Sequence, residues 1–314
     1  MTSFPVRLAY VTFEPVCGVS ADLPPVLFLH GTTATKECWG SIPQHIADKS
    51  RRKVYCLDSR NHGDSEWSDV FNFDVNINDL LHFMDSQQIP KAVLIGHSMG
   101  GVTCMRTSFK QPDRVEMAFV VDMFVKRVPQ RVLDAVVGLV EVFEEAVSSI
   151  PPQCSEDEAQ RRITRHAAGS KALTDAIFTI FRKSISQRKS NTVPKWITSR
   201  KEASANKKPK SNANLPLKRN EDGSYSLKFN SKVIKDNMLT EELVMSEPEG
   251  IFEGPVYFLY GTESPYVVNE DSERIYKHFP NAKIIGIEGS GHNVYLDMPD
   301  ELEQEILNHL KPHS

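Results

Sequence analysis

The pentapeptide Gly96-His97-Ser98-Met99-Gly100 follows an unbroken apolar run, Ala92-Val93-Leu94-Ile95, and opens a segment of helical character from Met99 to Lys110. A serine on a sharp strand-to-helix turn has its hydroxyl thrust clear of the backbone, and flanking glycines let neighbouring chain pass without a Cβ clash. That context makes Ser98 the candidate nucleophile rather than a chance Gly-x-Ser-x-Gly in a loop.

A serine hydroxyl attacks poorly until a base takes its proton, so a histidine must stand within hydrogen-bond reach. Of the ten histidines, His292 is the best placed. It lies in Gly289-Ser290-Gly291-His292, after the last apolar run and before the helical pattern Glu301 to Leu310, last in the chain order nucleophile, acid, base. His45, His82 and His278 fall in helical patterns, His309 and His313 at the C-terminal end, and His166 in an inserted segment, where packing or surface roles suit them. His97 projects from another part of the strained turn and is expected to support it.

Two acids compete for the third place. Asp122 ends the run Ala118 to Val121, where a carboxylate can orient the imidazole through its ring N–H. Glu263, in the turn Gly261-Thr262-Glu263-Ser264 after the run Val256 to Tyr260, can reach from another loop. Its position at the end of a buried strand favours Asp122. Ser264 either adds a hydrogen bond to this group or is a plain turn serine. For the oxyanion of an attacked carbonyl, the expected donors are the backbone N–H groups of Thr32, in His30-Gly31-Thr32 after the first buried run, and of Met99, next to the nucleophile.

These residues need a frame that brings loop ends together. Val26 to Leu29, Lys53 to Leu57, Ala92 to Ile95, Ala118 to Val121, Val256 to Tyr260 and Ile284 to Ile287 are continuous apolar runs, read as buried strands; Val6 to Phe13 partly alternates and reads as an edge strand. Ile77, Leu80, Leu81 and Met84 fall at the spacing of one helical face. Alternating strands and helices predict an α/β domain with a mostly parallel sheet covered on both faces, and the strand-turn-helix context of Ser98 within it points to the α/β-hydrolase fold.

The alternation stops after Asp122 and resumes at Gly254. The expected organisation is therefore a core of residues 1–122 and 254–314 with a helical cap, 123–253, inserted after the strand that follows the nucleophile turn. In the cap, Val132 to Val147 and Ala172 to Arg182 carry helical apolar spacing, and Tyr225, Leu227 and Phe229 alternate as a hairpin strand would. Ser199 to Arg219 is rich in Lys, Asn, Ser and Pro and reads as a mobile loop.

Composition narrows the class without naming it. Hydrophobic residues make up 40% and charged residues 25%, and the formal net charge is -4, which gives no basic field for nucleic acid or an anionic membrane. No run is long and apolar enough for an integral membrane segment, and no presequence is visible. The five cysteines form no C-x-x-C pair, which suits a reducing, cytoplasmic setting. The chemistry asks for no metal or organic cofactor.

On His30-Gly31, Asp58-Ser59-Arg60-Asn61-His62-Gly63-Asp64-Ser65, Gly96 to Gly101, Val121-Asp122, Ser264-Pro265-Tyr266-Val267 and Gly291-His292, the chain resembles the α/β-hydrolase domain-containing protein 11 family and its small bacterial esterase relatives. The resemblance covers most of the core, and Asp58 to Ser65 is its most specific stretch. It implies an acid at Asp122 joined by Ser264, hydrolysis of esters or lipids including diacylglycerol, and a mitochondrial address for the animal members. The chain departs from that pattern where Met123-Phe124-Val125 follows the acid, since the family has Ile, a small residue and Pro there. The expected activity is that of a serine hydrolase of carboxylic esters acting on a small ester or lipid, with an acyl thioesterase and a catalytically silent binding protein as rivals.

Overall fold

The computed structural model describes residues 4–125, 130–169, 216–238, 249–266 and 268–310. The strands in chain order are β1 (Tyr10–Phe13), β2 (Val26–Leu29), β3 (Val54–Leu57), β4 (Ala92–His97), β5 (Val115–Val121), β6 (Leu217–Arg219), β7 (Tyr225–Leu227), β8 (Val256–Gly261) and β9 (Ala282–Ile287). Seven of them form one sheet in the order β1-β3-β2-β4-β5-β8-β9, while β6 and β7 pair as a separate hairpin. Every neighbour in the large sheet is parallel except β1, which runs antiparallel to β3. The carboxyl ends of β2, β4, β5 and β8 therefore share one edge, where the candidate residues lie.

The helices are α1 (Ile42–Ser50), α2 (Phe73–Ser86), α3 (Met99–Lys110), α4 (Gln130–Ser148), α5 (Glu156–Gly169), α6 (Ser231–Met238), α7 (Ser272–His278), α8 (Val294–Asp297) and α9 (Pro299–Leu310). Period-two alternation sends Leu27 and Leu29 to one face of the sheet, with Leu80 and Met84 of α2 and Val102 and Met105 of α3. Val26 and Phe28 face the other layer, with Ile42 and Ile46 of α1 and Leu302 and Ile306 of α9. Both faces are covered, which is why β2, β3 and β4 are buried along their whole length. Asn72 starts α2 by accepting the Val75 N–H at 2.9 Å.

Two expectations about strands are corrected here. The N-terminal strand begins at Tyr10, not Val6, because the Val6 N–H is taken by Asp79 Oδ1 at 2.9 Å and the Ala9 N–H by Ser65 Oγ at 2.8 Å. β9 is the far edge of the sheet, so of its residues only Ala282 and Ile287 are buried.

Between β5 and β8 lie α4, α5, the β6–β7 hairpin and α6. Helix α4 spans the predicted Val132 to Val147, and β7 falls on the predicted alternation. The expected helix Ala172 to Arg182 lies outside the described residues, as does most of the Lys-rich stretch. The end of that stretch is not loop: Leu217–Arg219 is a strand, with Leu217 buried, because β7 supplies its hydrogen-bond partner. After β7 the chain is seated on a turn of the core, where the Gly63 N–H donates to the Lys228 carbonyl at 2.5 Å and the Asn230 N–H to the Asn61 carbonyl at 2.8 Å. All five cysteines are free, and among the described residues no helix is long and apolar enough to cross a membrane.

A buried ion pair fixes that turn to the core. Arg60 and Asp79, each 1% exposed, meet through Nε to Oδ2 at 2.5 Å and Nη2 to Oδ1 at 2.7 Å. Removing one member of such a pair costs about 3–5 kcal/mol, because the remaining charge stays out of water. Asp79→Ala is therefore expected to lower unfolding free energy by about that amount in urea titration; a loss under about 1 kcal/mol would mean that the guanidinium reaches solvent or other acceptors.

Candidate active site

β4 ends at His97, and the chain turns sharply through Ser98 into α3. Ser98 sits at φ 51°, ψ -112°, a strained conformation for a residue with a Cβ, costing roughly 1–3 kcal/mol. The strain is held from both sides: its N–H donates to the Val121 carbonyl at 3.0 Å, and its carbonyl accepts the Val102 N–H at 3.1 Å. The flanking glycines are required by packing. A Cβ on Gly100 would overlap the Leu29 carbonyl, and one on Gly96 the backbone of Gly100.

Asp122 follows β5 with φ 51° and is fully buried. Its N–H donates to the Leu259 carbonyl at 2.8 Å, which aims the carboxylate across the end of β8. Oδ1 accepts the Gly261 N–H at 3.0 Å, and Oδ2 accepts the Ser264 hydroxyl at 2.5 Å. His292 Nδ1 meets the same Oδ2 at 2.6 Å, so Nδ1 carries the proton and Nε2 is the free face of the ring. Glu263 is not brought to this group. Its N–H donates to the Ser290 carbonyl at 2.9 Å, and among the described residues no hydrogen bond or ion pair joins its carboxylate to His292.

The loop His30-Gly31-Thr32 lies against the turn, where a Cβ on Gly31 would stand 3.5 Å from Ser98 Cβ. Met99 opens α3, and the first N–H groups of a helix have no partner within it. Gly31 and Met99 thus both adjoin Ser98, and Thr32 follows Gly31 in the same loop. What braces the loop is the stretch Asp58 to Ser65. The Ser59 N–H donates to His30 Nε2 at 3.0 Å, which leaves His30 Nδ1–H to donate to the Gly31 carbonyl at 2.8 Å. His62 Nε2 reaches the Thr32 carbonyl at 2.6 Å, and its Nδ1 the Arg60 carbonyl at 2.8 Å. Two carbonyls pull the His62 ring toward the charged form, but burial outweighs them and lowers its pKa to about 4. Beneath, Lys36 Nζ bridges Asp58 and Asp64 at 2.6 Å each. Burial opposes the Lys36 charge, yet hydrogen bonds to Asp58 and Asp64 hold the ammonium above its usual pKa.

Two rings at the site carry more than their spacing signalled. His97 donates from Nε2 to the main-chain carbonyl of His292 at 2.9 Å, while its buried Nδ1 points at Gly31. One side chain thus ties the turn at Ser98 to the loop of His292. Burial first, and then the proximity of His292, push the His97 pKa well below its ordinary value, so the ring stays neutral. Tyr266 stacks on the His292 imidazole with centroids 4.2 Å apart and planes 9° from parallel. The motif Ser264-Pro265-Tyr266 contains this residue, but nothing in its spacing announces a ring on the histidine. Among the described residues, no group of three or more His, Cys, Asp or Glu is placed to hold a metal.

The parallel sheet and the strained strand-to-helix turn after β4 are those of an α/β-hydrolase. The chain belongs to the α/β-hydrolase fold family, whose model matches residues 24–299. It is similar to the sn-1-specific diacylglycerol lipase ABHD11 of Danio rerio, 28% identical over 311 residues that cover 99% of this chain and 84% of that protein. It is also similar to a probable alcohol acetyltransferase of Wickerhamomyces anomalus, 26% identical over 309 residues that cover 94% and 82% of the two chains. Among solved structures, a marine microorganism esterase shares the fold with a TM-score of 0.70 at 24% identity, covering 96% of this chain and 99% of that one.

The buried histidines at the loop His30-Gly31-Thr32 set a pH dependence. Burial lowers the His30 pKa from 6.5 to about 4, so the folded state disfavours a proton that the unfolded chain accepts. The resulting stability is complete above pH 6.5 and is lost as pH falls toward 4. For one such group the loss approaches about 3 kcal/mol. Urea titrations between pH 7 and 4.5 are expected to show this decline, with His30→Gln removing about one proton from the slope; an unchanged slope would mean that His30 is already charged when folded.

Proposed function

We propose that this chain is a serine hydrolase of carboxylic esters, with Ser98 as nucleophile, His292 as general base and Asp122 as the acid that orients it. One observation carries the reading: the buried Asp122 carboxylate accepts the Nδ1 proton of His292 at 2.6 Å at the same carboxyl edge of the sheet where the strained turn after β4 bears Ser98. His292 Nε2 takes the Ser98 proton as Oγ attacks the ester carbonyl. Asp122 keeps the Nδ1 proton in place and offsets the positive charge that the ring acquires. The N–H groups of Thr32 and Met99 receive the oxyanion, an interaction for which losing one donor typically costs about 3–4 kcal/mol. The alcohol leaves with the proton from His292, and water then releases the acid.

In this reading residues 123–253 form the cap over a core of residues 1–122 and 254–314. The cap contributes Val140, Phe229, Val233 and Ile234 to an apolar cluster that also contains Phe71 and Met99, the neighbour of the nucleophile. Apolar side chains beside Met99 favour an ester with a hydrocarbon acyl chain. Diacylglycerol is the lipid to test first, given the likeness to the Danio rerio lipase. The likeness to a probable alcohol acetyltransferase makes an alcohol a second acyl acceptor to test beside water.

A fluorophosphonate probe is expected to label the native chain and to leave Ser98→Ala unlabelled. Equal labelling of both would remove Ser98 from the reaction, and no labelling of either would leave a binding protein with a hydrolase shape. On a short-chain p-nitrophenyl ester, Asp122→Asn is expected to lower kcat by about ten-thousand-fold, whereas Glu263→Gln is expected to change it by less than about threefold. The reverse ranking would transfer the acid's role to Glu263.

A further inference from the structure

His97 is the last residue of β4 and pairs across the sheet with Val121, so strand register fixes its place immediately before Ser98. Its side chain is buried and meets three other pieces of chain. Nε2–H donates to the His292 carbonyl at 2.9 Å, and the ring centroid lies 4.6 Å from that of the His292 imidazole. Tyr295, at the start of α8, packs edge-on against the same ring at 5.0 Å. Nδ1 has no hydrogen-bond partner among the described residues and stands 2.8 Å from where a Cβ on Gly31 would be, against the loop that leads to Thr32. An unpaired buried acceptor is a cost that an apolar side chain would not carry; what the imidazole adds in exchange is the one donor aimed at His292. The loop it holds needs an outside anchor. Gly289, with φ 73°, and Gly291 precede His292, and glycine backbone is free to take many conformations. Asp122 fixes Nδ1 of His292 and the Tyr266 stack fixes the plane of its ring, but neither fixes the main chain from which the side chain springs.

Resting on the assignment of Ser98 and His292 above, we propose that His97 is a positioning residue for acyl transfer: from the end of β4 it holds the His292 main chain and spaces the Gly31-Thr32 loop, so that base and oxyanion donors are set relative to Ser98 by one ring. His97 touches no substrate and exchanges no proton in the reaction. Burial, and after it the nearness of His292, keeps the ring neutral, which preserves the Nε2–H donor and leaves Nδ1 bare. A proton on Nδ1 would have no acceptor among the described residues. Transfer of the Ser98 proton to Nε2 of His292 demands close and aligned approach, and a misplacement of about 1 Å can cost a hundredfold in rate. The same ring accounts for glycine at position 31. A methyl group there would press on His97 Nδ1, and the push would pass through the ring to the His292 carbonyl.

His97→Gln keeps an amide N–H near the place of Nε2, whereas His97→Leu fills the space without a donor. Turnover is read on a short-chain p-nitrophenyl ester, with kcat divided by the number of sites that a fluorophosphonate labels at completion, so that unfolded protein is not counted. Per labelled site, kcat of His97→Leu is expected to fall about tenfold or more while KM stays within about threefold, and His97→Gln is expected to recover most of the loss. A kcat per site within about twofold of native in His97→Leu, or equal losses in the two variants, would overturn the positioning role and leave His97 as packing. The spacing of the loop is read by placing Gly31→Ala in the native chain and in His97→Ser. The added methyl is expected to lower kcat about tenfold in the native chain and less than about threefold where the ring is gone. Equal effects in the two backgrounds would overturn the contact. Absent labelling of the native chain at Ser98 rejects the hydrolase reading itself, whereas native labelling with an unmoved kcat rejects only the part given to His97.

Discussion

A single carboxylate out of reach of water organises the site edge. Asp122 is fully buried, and a buried carboxylate is tolerable only when its oxygens are hydrogen-bonded. Its three donors come from separate pieces of chain: the main chain at the end of β8, the Ser264 hydroxyl in the following turn, and the ring of His292 beyond β9. Satisfying the charge therefore draws the loops after β5, β8 and β9 to one point. The main chain at Asp122 is held in a left-handed conformation by its own N–H bond to the Leu259 carbonyl, so the sheet register decides where the carboxylate points.

The turn at Ser98 is coupled to the same point. The Ser98 N–H bonds to the carbonyl of Val121, the residue before Asp122, and His97 holds the carbonyl of His292. On the opposite side, the Asp58 to Ser65 stretch fixes the loop of Thr32 through His30 and His62 and receives the inserted chain at residues 228–230. The segment between β5 and β8 is thus seated on the turn that steadies the expected oxyanion loop.

Much of the frame could be read from local pattern because its physics is local. Doubly covered strands are continuous apolar runs, α2 and α4 repeat apolar residues at helical spacing, and the turn at Ser98 requires glycines on both sides. His292 stood out by chain order, and Asp122 by its place at the end of a strand. The residues that escaped notice are those whose role comes from contacts remote in sequence. Tyr266 becomes part of the site only when the turn after β8 folds onto His292, and His97 only when its ring meets a carbonyl 195 positions away. Leu217–Arg219 was hidden for the same reason: three residues in a lysine-rich stretch become a strand because β7 lies beside them.

Acyl transfer through Ser98 is tested most directly by mass spectrometry of the protein quenched in acid during turnover of a p-nitrophenyl ester. The expected result is one acyl group, carried on the peptide that contains Gly96 to Gly100 and missing from Ser98→Ala. Turnover without any adduct, or an acyl group on a different peptide such as the one holding Cys38, would contradict it.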